Sequence, residues 1–365
     1  MKIFLPWIGL FAAVQAALSL IQYLLRKRAD RTGLRVVLIL FKAVLAVAFV
    51  FLVMAGPVFL RPVQPLLVAL YAALLPDAAA DLLCLLADKL RKKERRFAPY
   101  KLLSLALGCL FFVYGTWNIQ TVTPERHTFT SDKLTQTHRL VFVSDLHVGS
   151  SQSFETTRRI VEQIRAEQPD CVILGGDITD DYTSKAEMEE TYRLFGALGV
   201  PVYYIDGNHE VVQHAEYLKN GLPYTPEELA DAMDACGIII LKDAYAELAP
   251  DLMLLGREDA ASAARTAAET LTDPAPERYL VVADHQPGSV REHAALGADL
   301  QLSGHTHAGQ LFPLRWIYSL FLDAYGVYDY DGTTLVVSAG ASGWRVPFRT
   351  DAHCRYEVVT LEPDA

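Results

Sequence analysis

Five short motifs in the C-terminal two thirds of the chain carry carboxylate, amide and imidazole side chains that could bind metal ions. They are Asp145-Leu146-His147, Gly175-Gly176-Asp177, Gly207-Asn208-His209-Glu210, Asp284-His285 and Gly304-His305-Thr306-His307. Packing of a core does not require such residues, whereas two neighbouring divalent cations require several fixed nitrogen and oxygen ligands. A cation pair of this kind activates water and stabilises an in-line displacement at phosphorus. The motifs therefore predict a two-metal hydrolytic centre.

The ligand types narrow the choice of metal. Carboxylate and amide oxygens combined with neutral imidazoles suit Mn, Fe, Zn or Mg, and Mn is the ion that we expect first. The five cysteines show no zinc-thiolate spacing, so a structural zinc site is not predicted. The remaining histidines match no motif and are predicted to be structural: His127, His138, His214, His293 and His353.

Each motif follows a short apolar run that is typical of a buried strand. These runs are residues 140–143, 171–174, 202–205, 279–283 and 300–302. Helical patterns lie between them, at about 153–167, 184–198, 226–236 and 288–296. Further strands are predicted at 335–339 and 355–359. The alternation predicts a layered α/β fold with two packed sheets and with function at the carboxyl ends of strands.

The charge distribution divides the chain into two parts. The first 120 residues contain 15 Lys/Arg and 5 Asp/Glu, whereas the remaining 245 contain 18 and 38. This break predicts two domains, 1–120 and 121–365. Because binding to nucleic acid depends on basic residues that neutralise phosphates, the acidic second part argues against nucleic acid as a partner.

Four apolar stretches precede the charge break, at about 4–25, 35–60, 64–87 and 101–119. Each approaches the roughly 20 residues that cross a bilayer core, so they predict an all-α bundle of about four transmembrane helices. A cleavable signal peptide is not expected, because a basic segment and no small-residue cleavage site follows the first stretch. Alternatively, one of the four stretches is re-entrant or interfacial, and the stretch at 64–87 is the main candidate for this.

Basic residues predict the orientation of this bundle. Five Lys/Arg lie between the first two stretches and seven between the last two, whereas the other side shows only Lys2 and Arg61. Because basic loops stay in the cytoplasm, the metal-binding domain of this multi-pass protein is predicted to be extracytoplasmic. Within the third stretch, Asp77 and Asp81 share one helical face. They are predicted either to be functional intramembrane carboxylates or to face the bundle interior.

The order and type of the five motifs resemble the calcineurin-like metallophosphoesterases, over roughly residues 138 to 361. The resemblance implies a two-sheet sandwich flanked by helices and a centre with two divalent metal ions. It implies that Asp145, His147 and His307 bind the first metal. It implies that Asp177 bridges both metals, and that the second metal is bound by Asn208, His285 and His305.

The resemblance also implies roles for residues beside the metals. His209 corresponds to the family histidine that faces the substrate, where it stabilises phosphoryl oxygens and protonates the leaving group as a general acid. Asp180 and Glu210 are candidates for orienting the metal-binding histidines. The chain further resembles the membrane-associated subgroup, although Ala308 stands where its members often have Gly, which puts the geometry of that loop in doubt.

The segment from Leu311 to Tyr330 is unusually apolar for a loop that follows a metal ligand. It predicts an interfacial patch or an acyl-chain groove, the alternative being an ordinary buried connection. Arg315 and Arg349 are candidate phosphate partners, because guanidinium pairs bidentately with phosphate oxygens. Trp316 is a further candidate substrate contact.

These observations favour a membrane-anchored two-metal phosphoesterase that acts on a phospholipid or on a lipid-linked phosphodiester or pyrophosphate. The first alternative is the same chemistry on a soluble phosphodiester such as a nucleotide or headgroup. The second alternative is a non-catalytic membrane scaffold or sensor. The residues leave open the substrate, the metal pair, the type of phosphoester bond and the oligomeric state.

Overall fold

The computed structural model describes residues 4–25, 32–56, 58–91, 97–180, 183–211, 223–272 and 274–364. The chain forms two compact units, Met1–Trp117 and Asn118–Ala365. The division lies three residues before the boundary that the charge break predicts. All five metal-binding motifs belong to the second unit, which we call the C-terminal unit.

The first unit consists of helices. They are α1 (Phe4–Leu25), α2 (Thr32–Met54), α3 (Gln64–Arg91) and α4 (Phe97–Asn118), with a 3₁₀ segment at Val58–Val63. Among the described residues, Gly33–Met54 and Leu60–Leu90 are long and apolar enough to cross a membrane, whereas the apolar parts of α1 and α4 are shorter. The four predicted spans are therefore reduced to two candidates. The basic loop residues 26–31 and 92–96, which carry most of the predicted orientation, lie outside the described residues.

Both carboxylates of the third stretch contact a lysine on a neighbouring helix. Lys42 Nζ on α2 lies 2.6 Å from Asp77 Oδ2 and also contacts Asp81 on α3. Ser104 Oγ on α4 donates a hydrogen bond to the buried Asp77. Burying a charge is costly unless it is paired, so these contacts account for the two carboxylates as interhelical ion pairs within the unit. The geometry supports the interior-facing alternative for both residues.

The C-terminal unit contains two six-stranded sheets. The first has the order β1 (Val122–Ser131), β12 (Cys354–Pro363), β2 (His138–Val143), β3 (Cys171–Gly175), β4 (Val202–Ile205) and β5 (Ile239–Ile240). The second has the order β10 (Gly326–Tyr330), β11 (Thr333–Val337), β9 (Leu300–Ser303), β8 (Tyr279–Ala283), β7 (Leu252–Gly256) and β6 (Ala244–Ala249). All strands that precede motifs pair in parallel with a neighbour, so their carboxyl ends meet at one edge of each sheet.

Apolar side chains between the two sheets form one core. Phe142 and Ile173 of the first sheet and Leu254 and Val281 of the second sheet belong to the same buried cluster. The outer face of the first sheet is covered by α5 (Phe154–Glu167), α6 (Lys185–Gly196) and α7 (Pro226–Asp234). On the second sheet, α8 (Val290–Ala295) packs beside β11. The fold is thus a mixed α/β two-sheet sandwich flanked by helices.

Every strand that the sequence predicts is present, and the predicted helices are present with slightly different ends. Five strands were not predicted: β1, β5, β6, β7 and β10. The short helix α9 (Leu314–Tyr318) was not predicted either. Four of the five unpredicted strands lie at sheet edges. Their side chains are mostly exposed or only partly buried, which leaves a weak apolar pattern for a sequence-based assignment.

A buried carboxylate connects the two sheets at the turn between β6 and β7. Asp251 accepts hydrogen bonds from the backbone N–H and the hydroxyl of Thr135, both at 2.7 Å, and lies 2.8 Å from His138 Nε2 at the start of β2. Burial favours the neutral acid, but the bonds from Thr135 and His138 outweigh burial and lower the pKa of Asp251 to about 2. The ionised carboxylate therefore stabilises the folded unit.

We expect Asp251→Asn to lower the free energy of unfolding by roughly 1–3 kcal/mol at neutral pH, because one buried partner of Thr135 and His138 is weakened. Because the folded pKa lies below the ordinary value of about 3.9, the stabilisation is present above pH ~4 and is lost as the pH falls towards 2. Thermal unfolding followed by circular dichroism between these pH values would show a shallower pH dependence in the variant. An unchanged dependence would contradict the role of this carboxylate.

Candidate metal centre

The five motifs meet where β2, β3, β4, β8 and β9 end. The metal-ligand candidates there have unusual backbones, with positive φ at Asp145 (54°), His147 (42°), Asp177 (52°), His305 (71°) and His307 (51°). Such conformations are uncommon for residues other than Gly, and they cluster at sites where function constrains the backbone. These turns thus direct the candidate ligand side chains towards one point. An ordinary strand end would direct them elsewhere.

Two glycines allow the backbone to approach the central carboxylates. A Cβ atom at Gly207 would lie 2.3 Å from Asp177 Oδ1, and one at Gly304 would lie 2.3 Å from Asp145 Oδ2. Any other residue at either position would displace a carboxylate. The glycines of these motifs are therefore required by the geometry of the centre and not only by the strand-to-loop turn.

One half of the centre is formed by Asp145, His147 and His307. The Nε2 atoms of the two histidines lie 3.2 Å apart, and His307 Nε2 lies 3.5 Å from Asp145 Oδ1. Asp177 Oδ2 lies 3.9 Å from His147 Nε2. The structure therefore brings the predicted ligands of the first metal together, with Asp177 beside them.

The other half shares Asp177 with the first. Asp177 Oδ2 lies 3.1 Å from His285 Nε2, and His305 Nδ1 lies 2.7 Å from Asn208 Oδ1. Potential ligand atoms of Asp177, His285 and His305 all lie within 4.8 Å of one another. Asp177 thus stands between the two groups, at the position that a bridging carboxylate requires.

The donor set fits two divalent cations. Two imidazole nitrogens that face each other at 3.2 Å repel unless a proton or a cation lies between them. His285 Nε2 is fully buried and faces Asp177 Oδ2 at 3.1 Å, while its Nδ1 lies 2.8 Å from the carbonyl oxygen of Gly175. A backbone carbonyl on one ring nitrogen directs the other nitrogen, with its lone pair, towards a metal.

The electrostatic environment decides which of the predicted ligands are ready to bind a cation at neutral pH. Burial would raise the pKa of Asp177, but His285 and His209 lower it well below its usual value. Burial, opposed by Asp145, lowers the pKa of His307 to about 3. Burial would also lower the pKa of His147, but Asp180 and Asp177 raise it to about 9. Burial would lower the pKa of His285 too, but Asp177 raises it well above its usual value. At neutral pH a charged Asp177 and a neutral His307 are therefore ready to bind a cation, whereas His147 and His285 must first lose a proton.

The two predicted orienting carboxylates have different partners. Asp180 Oδ2 lies 3.2 Å from His147 Nδ1, as a group that orients this histidine should. Glu210 instead accepts hydrogen bonds from the backbone N–H groups of residues 177, 178, 179 and 207. Burial, Asp177 and Asp206 raise the pKa of Glu210 to about 8. Its predicted action on a histidine is therefore wrong, because it holds the loop backbone that carries Asp177.

His209 lies at the edge of the cation ligands. Its ring centroid is 4.8 Å from that of His147 and 5.2 Å from that of Trp344, in edge-to-face arrangements. Its backbone N–H donates to Asp177 Oδ1 at 2.8 Å. A ring nitrogen of His209 also lies within 4.8 Å of potential ligand atoms of His147 and Asp177. The position suits a group that acts on a substrate, and it is also close enough to reach a cation.

The three candidate substrate contacts differ in accessibility. Arg349 is fully buried, and its guanidinium donates to the carbonyl oxygens of residues 307, 339, 342 and 352. This geometry contradicts the predicted phosphate contact, because Arg349 holds the C-terminal loops against His307. Arg315 is partly exposed and pairs with Asp351 at 2.9 Å. Trp316 is 65% exposed and remains accessible.

Four of the histidines that were predicted to be structural bond to groups outside the metal ligands. His127 and His138 bond to Glu357 and Asp251, His293 bonds to Gln301, and His353 bonds to Asn118. His214 lies outside the described residues. The pairing distances, between 2.5 and 2.8 Å, show that these rings are held by local polar contacts.

A sixth acidic motif was missed by the sequence reasoning. The strand β7 ends at Gly256 and is followed by Glu258 and the fully buried Asp259. Gln286, next to His285, donates to both carboxylate oxygens of Asp259 at 3.0 and 3.1 Å. Arg265 binds both oxygens of Asp284, the neighbour on the other side of His285. An apolar run that ends in Gly and is followed by an acid also marks the motif Gly175-Gly176-Asp177.

Comparisons with known proteins agree with this centre. Residues 138–309 match the family described as calcineurin-like phosphoesterase. An uncharacterized metallophosphoesterase from Helicobacter pylori is 31% identical over 240 residues, covering 64% of this chain and 62% of that protein. A transmembrane protein with metallophosphoesterase domain from Danio rerio is 26% identical, covering 61% and 53%. The chain thus spans less than two thirds of the length of these relatives.

A solved structure is also similar. The dimetal phosphatase from Danio rerio aligns with a TM-score of 0.36 at 13% identity, covering 56% of this chain and 88% of that chain. The family match begins at β2 and ends at Gly309, so it includes every predicted metal ligand. Residues 138–309 of the C-terminal unit thus match the calcineurin-like phosphoesterase family.

Proposed function

We propose that the chain is a membrane-anchored two-metal phosphoesterase that hydrolyses a phosphodiester or pyrophosphate bond. The observation that carries the proposal is the convergence of the ligand residues from five strand ends on Asp177. Opposing imidazole nitrogens at 3.2 Å and a fully buried His285 Nε2 support two cations there, and the first ion that we would test is Mn²⁺.

In this proposal the first cation is held by Asp145, His147 and His307, with Asp177 shared. The second is held by Asp177, Asn208, His285 and His305. When bound, the two cations supply Lewis-acid chemistry that lowers the pKa of water and neutralises charge on phosphoryl oxygens. The chain itself fixes the positions of these ligands through Asp180, which orients His147, and Glu210, which holds the Asp177 loop.

We assign the general acid to His209. Its backbone is anchored to Asp177, and its ring stands beside both His147 and Trp344. A ring nitrogen at this position can hydrogen-bond to a phosphoryl oxygen and then donate a proton to the departing oxygen. Trp344 packs edge-to-face against one side of the ring.

A phospholipid or a lipid-linked phosphoester is the proposed substrate class. Two helices that are apolar enough to cross a membrane belong to the same chain, and relatives named transmembrane proteins carry the same domain. A soluble phosphodiester such as a nucleotide or headgroup is the second candidate, with the helices serving only as an anchor. The acidic C-terminal unit supports neither DNA nor RNA as a partner.

The activity is tested with the full chain in detergent and an aryl phosphodiester. We expect turnover that depends on added Mn²⁺, is abolished by a chelator and returns when the metal is restored. The same preparation must be folded, as judged by circular dichroism. A folded protein without turnover in the presence of Mn²⁺, Fe²⁺, Zn²⁺ or Mg²⁺ would contradict the proposed enzymatic function and would support a role as a scaffold or sensor.

We further propose a multi-pass arrangement with the C-terminal unit outside the cytoplasm. The support is the basic composition of the segments between the first two and the last two apolar stretches. Protease treatment of sealed right-side-out vesicles should cleave the C-terminal unit in intact vesicles. Protection until lysis would reverse the orientation and would point to cytoplasmic lipid precursors as substrates.

A further inference from the structure

Exposed apolar side chains of the C-terminal unit are concentrated in one short segment. Phe312, Trp316, Leu320, Phe321 and Leu322 are 39%, 65%, 74%, 83% and 45% exposed, and we call these five residues the apolar ridge. Elsewhere in the described part of this unit, the large apolar side chains with comparable exposure are Ile239 and Val327. Single exposed apolar side chains are normally scattered over a protein surface. A contiguous group of them therefore indicates an interaction surface.

The charge of the ridge differs from that of the unit around it. Residues 311–322 contain one charged side chain, Arg315, and no carboxylate, whereas the sequence from 121 to 365 contains 18 Lys/Arg and 38 Asp/Glu. An acidic unit is repelled by anionic lipid headgroups. The acid-free ridge is therefore a face with which the unit can approach such a surface at a lower electrostatic cost than with its acidic faces.

The ridge is held firmly to the metal centre. Leu311 and Leu314, at the base of α9, are fully buried, and the N–H of Phe312 donates to Thr350 Oγ1 at 3.0 Å. At the far end of the segment, the carbonyl oxygen of Ala324 accepts a hydrogen bond from Thr306, which lies between His305 and His307. One end of the ridge is thus anchored to Thr350, and the other end to Thr306 between two predicted metal ligands.

We propose that the apolar ridge is the face by which the C-terminal unit enters the interfacial region of a phospholipid bilayer. Trp and Phe prefer the headgroup level, and Leu side chains insert among the acyl chains. The partner is a bilayer because the same chain contains two helices that can cross one, which keeps the unit at a membrane. One consequence of this contact is that a lipid phosphoester reaches the metal centre from the bilayer. This consequence, unlike the contact itself, rests on the proposed function.

Photo-crosslinking tests the contact without requiring catalysis. The full chain, with Phe321 replaced by p-benzoylphenylalanine, is reconstituted in vesicles of phosphatidylethanolamine and phosphatidylglycerol and irradiated. We expect a lipid adduct on the peptide that contains position 321, and none when the photoreactive residue replaces Ile239 instead. Absence of a lipid adduct at 321, or an adduct with a second copy of the chain instead of lipid, would overturn the proposal.

A double variant tests the consequence for turnover. In Leu320→Ser/Phe321→Ser we expect hydrolysis of a phosphodiester lipid in vesicles to fall at least about tenfold, because interfacial insertion is weakened. Turnover of a water-soluble aryl phosphodiester should stay within about twofold of the unchanged chain, because neither residue contacts a predicted ligand. The matched control Ile239→Ser/Val327→Ser also removes two exposed apolar side chains and should change neither rate. Equal rates of the ridge variant and the control on vesicles would overturn the ridge proposal. Failure of the unchanged chain to hydrolyse either substrate would overturn the proposed function.

Discussion

Asp177→Asn is expected to abolish hydrolysis and to remove both cations from the purified protein. Asp177 is the one carboxylate shared by the two halves of the centre, with Oδ2 at 3.1 Å from His285 Nε2 and 3.9 Å from His147 Nε2. A neutral amide offers a weaker oxygen ligand than the carboxylate that the two halves share. Cations held there would stabilise transition-state charge by several kcal/mol, and about 1.4 kcal/mol corresponds to tenfold in rate, so the loss should exceed roughly 10³-fold.

Metal content per chain, measured by inductively coupled plasma mass spectrometry, is the direct readout. Asp251→Asn is the matched control, because it makes the same substitution at a buried carboxylate that bonds to Thr135 and His138 and to no metal ligand. The control should keep both cations and its turnover at a temperature below its unfolding transition. An Asp177→Asn protein that retains two cations and normal turnover would show that Asp177 is not the bridge.

His209→Ala is expected to retain both cations and to lose rate. General acid catalysis contributes about 10²–10⁴-fold, and the loss should depend on the leaving group. A nitrophenolate departs readily without a proton, whereas an alkoxide does not. The variant should therefore lose little rate on an aryl phosphodiester and most of its rate on an alkyl phosphodiester.

The position of His209 makes this result informative. Its ring nitrogen is close enough to His147 and Asp177 to be a third ligand of a cation. A metal-depleted His209→Ala protein would assign it to the metal centre and would remove the general acid from the proposal. His127→Ala is the control, because it removes an imidazole that pairs with Glu357, away from the metal ligands.

The sequence alone was sufficient to predict residues that the fold brings together at the candidate metal centre. Each ligand follows a strand whose apolar run is continuous, because both faces of that strand are buried between layers. Parallel strands place their carboxyl ends along one edge of a sheet, so the order of runs and motifs already predicts that Asp145 and Asp177 lie close together. The approach of His285 from the second sheet depends on how the two sheets pack. The family resemblance supplied the roles, and the match over residues 138–309 supports that resemblance.

The edge strands and the partners of buried charges depended on the tertiary structure. The strands β6 and β10 lie at sheet edges with partly buried side chains, so their periodicity is weak. Arg349 looks like a phosphate ligand in the sequence, because a guanidinium in a loop is usually solvated. Only the fold shows that four carbonyl oxygens surround it, three from within ten residues in the same loop region and one from His307, 42 residues away.

The same contrast applies to Asp77 and Glu210. The sequence determined that a carboxylate occurs in an apolar helix and that another follows His209, since both are local facts. The tertiary structure decided that Lys42, 35 residues away, pairs with Asp77 and that Glu210 binds the backbone of residues 177–179. Motifs and strand ends are local in the chain and can be inferred from it. The partner of a buried charge is decided by the fold. A buried charge without a partner is unfavourable, and the group that packing brings near it becomes the partner.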